Sequence, residues 1–118
     1  MLKQGVIEPY YIKSKGIFIP IVNKVLAMKD SYEKPVMFSQ AKDVPTLKEW
    51  YIILHFKDEI NDLLVNNGGE KLKRDSYWSC DVCDNIEAHA FGIFIRDGIT
   101  FDDWRVNNYY ARSIFNLE

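Results

Sequence analysis

Cys80 and Cys83 are the chain's two cysteines, at C-x-x-C spacing, and His55 and His89 are its two histidines. A redox C-x-x-C sits at a helix N-terminus, where the dipole lowers one thiol pKa. Here Asp81 and Asp84 flank the thiols and a strand follows, so thiolate is disfavoured. Structural zinc takes four ligands, usually as two pairs. Cys80, Cys83, His89 and Asp84 would be the only cluster, since there is no second C-x-x-C and no H-x-x-x-H, and His55 lies in a separate helical stretch. A disulfide across two intervening residues is sterically awkward outside dedicated oxidoreductase turns. The motif therefore reads as a structural turn with two unpaired thiols, one buried as a small hydrophobe. Ser76 or Ser79 can be drawn into a triad with a histidine and an aspartate, but no spacing supports it. The expectation is a non-enzymatic domain with no metal and no cofactor.

Trp104-Arg105-Val106-Asn107-Asn108-Tyr109-Tyr110 points to a different chemistry. Trp, Tyr and Arg are the residue types that anchor recognition surfaces, and Asn supplies adaptable hydrogen bonds. The competing reading has Trp104 and one tyrosine filling the core, with Asn107-Asn108 as a turn. Trp50 lies on a helical apolar stripe and is expected inside.

The elements that must hold these residues follow from a chain of 118 residues, 47% hydrophobic and 14% aromatic, which is one domain spanning 1–118 with a proper core. A net charge of −2 argues against a broad nucleic-acid or anionic-membrane surface. Lys71, Lys73 and Arg74, between Glu70 and Asp75, read as a solvated loop. No apolar run approaches a membrane span, and Met1–Gln4 lead into strand-like sequence without a signal-peptide core. The expected location is inside the producing cell or on a virus particle, unless the chain is a mature fragment.

Gly5 to Ile21, broken at Ser14-Lys15-Gly16, reads as a β-hairpin, and Val22 to Met28 and Pro35 to Phe38 are short apolar runs around a polar loop, 29–34. Thr46-Leu-Lys-Glu49 after Pro45 fits a capping box. Two helices are expected, about 46–56 and 58–66, the second capped by Asp58 and ended by Asn66-Asn67-Gly68-Gly69. Ala88 to Ile95 reads as a strand, turning at Asp97-Gly98 through a two-residue turn into Ile99 to Trp104. Tyr109 to Phe115 alternates as a last strand. Two helices on an antiparallel, mostly C-terminal sheet make an α+β class.

The ordered set VPTLKEWYIIL, KDEIN, NNGG, YWS, a hairpin around DG and a terminal YYARSIF resembles the bacterial and phage domains of the DUF1566 / FISUMP type, over roughly 44–115. The resemblance implies a C-type-lectin-like fold: two short helices packed on a small antiparallel or mixed sheet, with N- and C-terminal strands paired. It implies a ligand-display role, as in variable proteins of diversity-generating retroelements and in phage receptor-binding domains. It also implies a buried Trp78 and a structural hydrogen-bond or ion-pair role for Arg112. Cys80 stands where the family has its second serine. The EPN or QPD loop and WND triplet of calcium-dependent lectins are missing from their places, so calcium is not implied.

Together these readings give a calcium-independent module binding a protein or glycan, with no nucleic acid and no membrane insertion. Its ligand-binding candidates are Asp81, Val82, Asp84, Asn85, His89, Asp102, Trp104, Asn107, Asn108 and Tyr109. They are expected on a surface built by 79–89 and 102–110, with exposed aromatics gathered on one face. The alternative is a structural or assembly subunit of a phage particle or surface fibre that uses the same face as a homo-oligomer interface.

Overall fold

Alternating apolar residues interrupted by Ser14-Lys15-Gly16 form the hairpin that the sequence suggests: β1 (Tyr10–Ile12) pairs antiparallel with β2 (Gly16–Ile19). Gly16 is required there. It sits at φ +145°, and a β-carbon on it would strike the Leu26 carbonyl. The computed structural model describes residues 5–83 and 86–117. β3 (Lys24–Leu26) pairs with the other edge of β2. A short 3-10 turn, Phe38–Gln40, then leads towards α1 (Leu47–His55) and α2 (Lys57–Asn66).

The first helix starts as its sequence dictates. Thr46 Oγ1 accepts the Glu49 N–H at 3.0 Å and Glu49 Oε1 accepts the Thr46 N–H at 3.0 Å. Such a cap is worth about 1 kcal/mol. The second oxygen of Glu49 meets Lys24 Nζ at 2.8 Å, which ties β3 to the helix start. Asp58 does not cap α2. Phe56 occupies that position and Asp58 falls inside the first turn, because a single residue separates α1 from α2.

The remaining strands are β4 (Ser76–Val82), β5 (His89–Phe94), β6 (Thr100–Trp104) and β7 (Ile114–Phe115). They correct the expected single, mostly C-terminal sheet. One sheet has the order β1-β2-β3-β7 and the other β4-β5-β6. The last strand does return to the N-terminal sheet, but it pairs with β3 rather than with the first strand. The strand expected over 109–115 survives only at its end. Ala111 and Arg112 are both buried, so the chain abandons strict alternation, and Tyr109 and Tyr110 make isolated bridges to Val36 and Tyr77. The Asp97-Gly98 turn is longer than two residues: Ile95 turns back into the core, and Phe94 N–H bonds the Ile99 carbonyl around the four residues 95–98.

Both helices and both sheets share one core. Trp50 and Ile53 of α1, and Ile60 and Leu64 of α2, pack with Ile17, Ile19, Leu26, Tyr77, Ile93 and Ile114. The outer face of the second sheet carries rings. Trp78, Gly92 and Phe101 lie side by side across the three strands. A β-carbon on Gly92 would come within 2.5 Å of the Phe101 ring, so the bare backbone makes room for that ring. Phe101 then touches Phe94 and Tyr109, and Tyr109 meets Trp78 edge-on, with centroids 4.9 Å apart. Among the described residues no helix is long and apolar enough to cross a membrane.

Candidate functional site

The end of the second sheet opposite the Asp97-Gly98 loop gathers most of the sequence-derived candidates. His89 and Trp104 are directly opposed on β5 and β6. Their rings meet edge to face at 4.6 Å. Asp102 lies two residues along β6, on the same face, and its Oδ2 is 2.7 Å from His89 Nδ1. Trp104 stays 53% exposed. Arg105 fastens the two loops at this end. Its N–H donates to the Ala88 carbonyl at 2.8 Å, its Nε donates to the His89 carbonyl at 3.1 Å, and its guanidinium covers Phe38. Val82, Ile86 and Val106 are exposed around this end.

The candidates do not share one face. Strand pairing puts His89, Asp102 and Trp104 on one side of the sheet, and Val82 and Asp103 on the other. On that second side Asp103 accepts hydrogen bonds from the Tyr109 hydroxyl and from Asn107 Nδ2. These two donors hold the Asp103 carboxyl below the usual carboxylate range. Burial first, then the bond to Asp103, pushes the Tyr109 phenol up to about 12. Tyr109 and Tyr110 are half-buried, Tyr110 against Tyr77. The expectation of aromatics gathered on one face is corrected, because the turn after Trp104 carries the chain across the sheet end. Asn107 and Asn108 lie exposed on that turn, where Asn107 N–H bonds the Trp104 carbonyl. Asp81 faces the first helix, where its Oδ2 accepts the Leu47 N–H at 2.8 Å. Asp84 and Asn85 lie outside the described residues.

The cysteines sit differently from the loop expected. Cys80 is exposed on β4 and lines a cleft of about 280 Å³ with Lys24, Thr46 and Glu49, while Cys83 is half-buried just past the strand. Neither is the buried small hydrophobe foreseen, and neither forms a disulfide. Partial burial first, then Asp81 and Glu49, raise the Cys80 thiol pKa and so disfavour the thiolate. Among the described residues, no three His, Cys, Asp or Glu side chains are grouped to hold a metal ion. Ser79 donates its hydroxyl to the Phe91 carbonyl, and the side-chain partner of His89 is Asp102. Compared with models of known families and with curated proteins, the chain finds no match.

Sequence reasoning missed how far the interior polar network extends. Arg112 has the ion-pair role expected of it, but its partner is Asp30. Asp30 accepts Arg112 Nε at 2.8 Å, Lys73 Nζ at 2.8 Å and the Tyr77 hydroxyl at 2.9 Å. Lys71 and Arg74 are exposed as a solvated loop would have them, but Lys73, with its side chain 36% exposed, is tied to Asp30, and its ammonium also sits over the Tyr110 ring. The bond to Asp30 raises the Lys73 pKa, and burial raises that of Tyr77 far above an ordinary phenol. Groups with raised folded-state values give stability that is complete below their unfolded values, about pH 10, and lost as pH climbs through the folded ones. We expect the melting temperature to fall above about pH 10, and to fall less steeply in Tyr77→Phe. A melting temperature that is flat through that range would contradict this.

Proposed function

We propose that the chain is a non-enzymatic recognition domain of the DUF1566 / FISUMP, C-type-lectin-like type. It binds a protein or glycan without calcium through the sheet end around Trp104. The observation that carries this reading is the state of that tryptophan. Trp50 and Trp78 are fully buried, whereas Trp104 is half in water with its ring braced by His89, itself held by Asp102. A large side chain already fixed in place loses little entropy on binding, which is how aromatic anchors concentrate affinity. Exposed Ile86 and Val106 add apolar surface at the same sheet end, and exposed Asn108 follows on the turn after Trp104. Support for the lectin-like type comes from the two helices, the return of β7 to the N-terminal sheet, and the interior positions of Trp78 and Arg112.

The test is binding of wild type and Trp104→Ala to arrays of glycans and peptides. We expect Trp104→Ala to lose about 2 kcal/mol of affinity, with stability unchanged within about 0.5 kcal/mol. Undiminished binding by Trp104→Ala would refute the site. The assembly-subunit alternative predicts a stable oligomer in light scattering whose Trp104 fluorescence is shielded from a soluble quencher. A free, quenchable Trp104 favours recognition.

A further inference from the structure

The outer edge of β6 carries backbone groups that no other described residue uses. The β5–β6 register, with Phe94 N–H on the Ile99 carbonyl and Arg105 N–H on the Ala88 carbonyl, puts the ladder bonds on the odd-numbered residues of β6. Thr100, Asp102 and Trp104 therefore turn their N–H and C=O groups outward. Those of Trp104 are taken. Its N–H donates to Asp103 Oδ1 at 2.8 Å, and its carbonyl accepts the Asn107 N–H at 3.0 Å. At the other end the Gly98 N–H is held by the Phe94 carbonyl at 2.8 Å. What remains is a short window of four groups, two on Thr100 and two on Asp102.

We propose that two copies of the chain pair through this window, antiparallel about a two-fold axis at Phe101. The two three-stranded sheets then become one continuous sheet. The register follows from the groups themselves. Centred on Phe101, Thr100 of each copy exchanges both bonds with Asp102 of the other, and all four free groups of each edge are used. Centring on Thr100 calls on Gly98, whose N–H is engaged, and centring on Asp102 sets two carboxylates face to face and calls on Trp104. The side chains agree with the first register. The Thr100 hydroxyl can donate to the second copy's Asp102, whose Oδ2 alone is occupied by His89. Phe101 meets its own copy as a cross-strand aromatic pair, extending the contacts it makes with Phe94 and Tyr109.

Association ends at two copies. The outer edge of β4 is already covered, since Trp78 N–H bonds the Tyr110 carbonyl at 2.9 Å and Tyr110 N–H bonds the Ser76 carbonyl at 3.0 Å. So short a seam buries little surface, and the dimer is weak and concentration-dependent. It leaves Trp104 open and puts both copies of it on one sheet face, about 20 Å apart along the strands. The dimer does not depend on what Trp104 binds.

Sedimentation velocity from micromolar to millimolar protein tests this, alongside amide hydrogen exchange. Wild type should show a monomer–dimer equilibrium, with Thr100 and Asp102 amide protection rising with concentration. Thr100→Pro removes one outward N–H per copy while leaving the β5 ladder intact, so it should weaken the dimer about thirtyfold. A wild type that stays monomeric at millimolar concentration overturns the proposal, as does a dimer untouched by Thr100→Pro. If Thr100→Pro fails to fold, exchange on wild type decides: concentration-independent protection at Thr100 and Asp102 overturns it.

Discussion

Asp30→Ala is expected to destabilise the protein by about 3–5 kcal/mol, a large share of the roughly 5–15 kcal/mol that holds a domain together. The Asp30 side chain is 2% exposed and that of Arg112 is fully buried. Removing the carboxylate leaves the guanidinium in the interior with, among the described residues, the Ala27 and Lys71 carbonyls, at 3.2 and 3.3 Å. A neutral pair of carbonyls does not compensate a buried cation, so the cost is that of an orphaned charge rather than of one lost bond. Urea unfolding followed by tryptophan fluorescence measures it. Adding Arg112→Met to Asp30→Ala should recover part of the loss, because the stranded charge is then gone. A single-variant loss below about 1 kcal/mol, or a double variant weaker than the single, would mean that the network is not desolvated as described.

Trp78→Ala should cost a similar 3–5 kcal/mol, through a different cause. The side chain is fully buried and joins separate stretches of chain. Its Nε1 donates to the Val36 carbonyl at 2.8 Å, and its own carbonyl accepts Trp50 Nε1 at 3.2 Å. Its ring meets Phe38 and Tyr109 edge-on. Truncation opens a cavity and takes the indole donor from the Val36 carbonyl, and relaxation can close only part of the gap. The comparison variant is Trp104→Ala, expected within about 0.5 kcal/mol of wild type because Trp104 is half in water and outside the core. Equal losses in the two variants would contradict the assignment of one tryptophan to the interior and the other to the surface.

Local signals were legible where their partners are neighbours in the chain. The Thr46–Glu49 capping box, the Trp50–Ile53 stripe and the turn at Ser14–Gly16 all declare themselves within a few residues, and each is present. Arg112 and Asp30 lie 82 residues apart, and Asp30 stands in a polar stretch whose composition matches that of an ordinary solvated loop. Nothing local tells a buried aspartate from an exposed one. Asp81 follows Cys80 in sequence, yet its partner is the Leu47 amide at the start of α1. The division of Trp104 from Tyr109 was hidden for a similar reason. Strand periodicity assigns faces within a strand, and the turn between these two residues carries no such information.

The Asp30–Arg112 pair and the β3–β7 pairing bear on how the chain acquires its shape during synthesis. The N-terminal sheet gains its fourth strand from Ile114–Phe115, and the carboxylate on Asp30 meets its guanidinium only through Arg112. The ion pair cannot form on a nascent chain before residue 112 is made, nor the strand pairing before residues 114 and 115 are. Until then the β3 edge lacks its partner strand and Asp30 lacks the guanidinium that compensates its burial in the folded chain. Distant pairings of this kind close late and slow folding. On a ribosome-bound chain the β3 edge stays unsealed until residue 115 has been made, an interval in which exposed strand edges meet other chains or a chaperone.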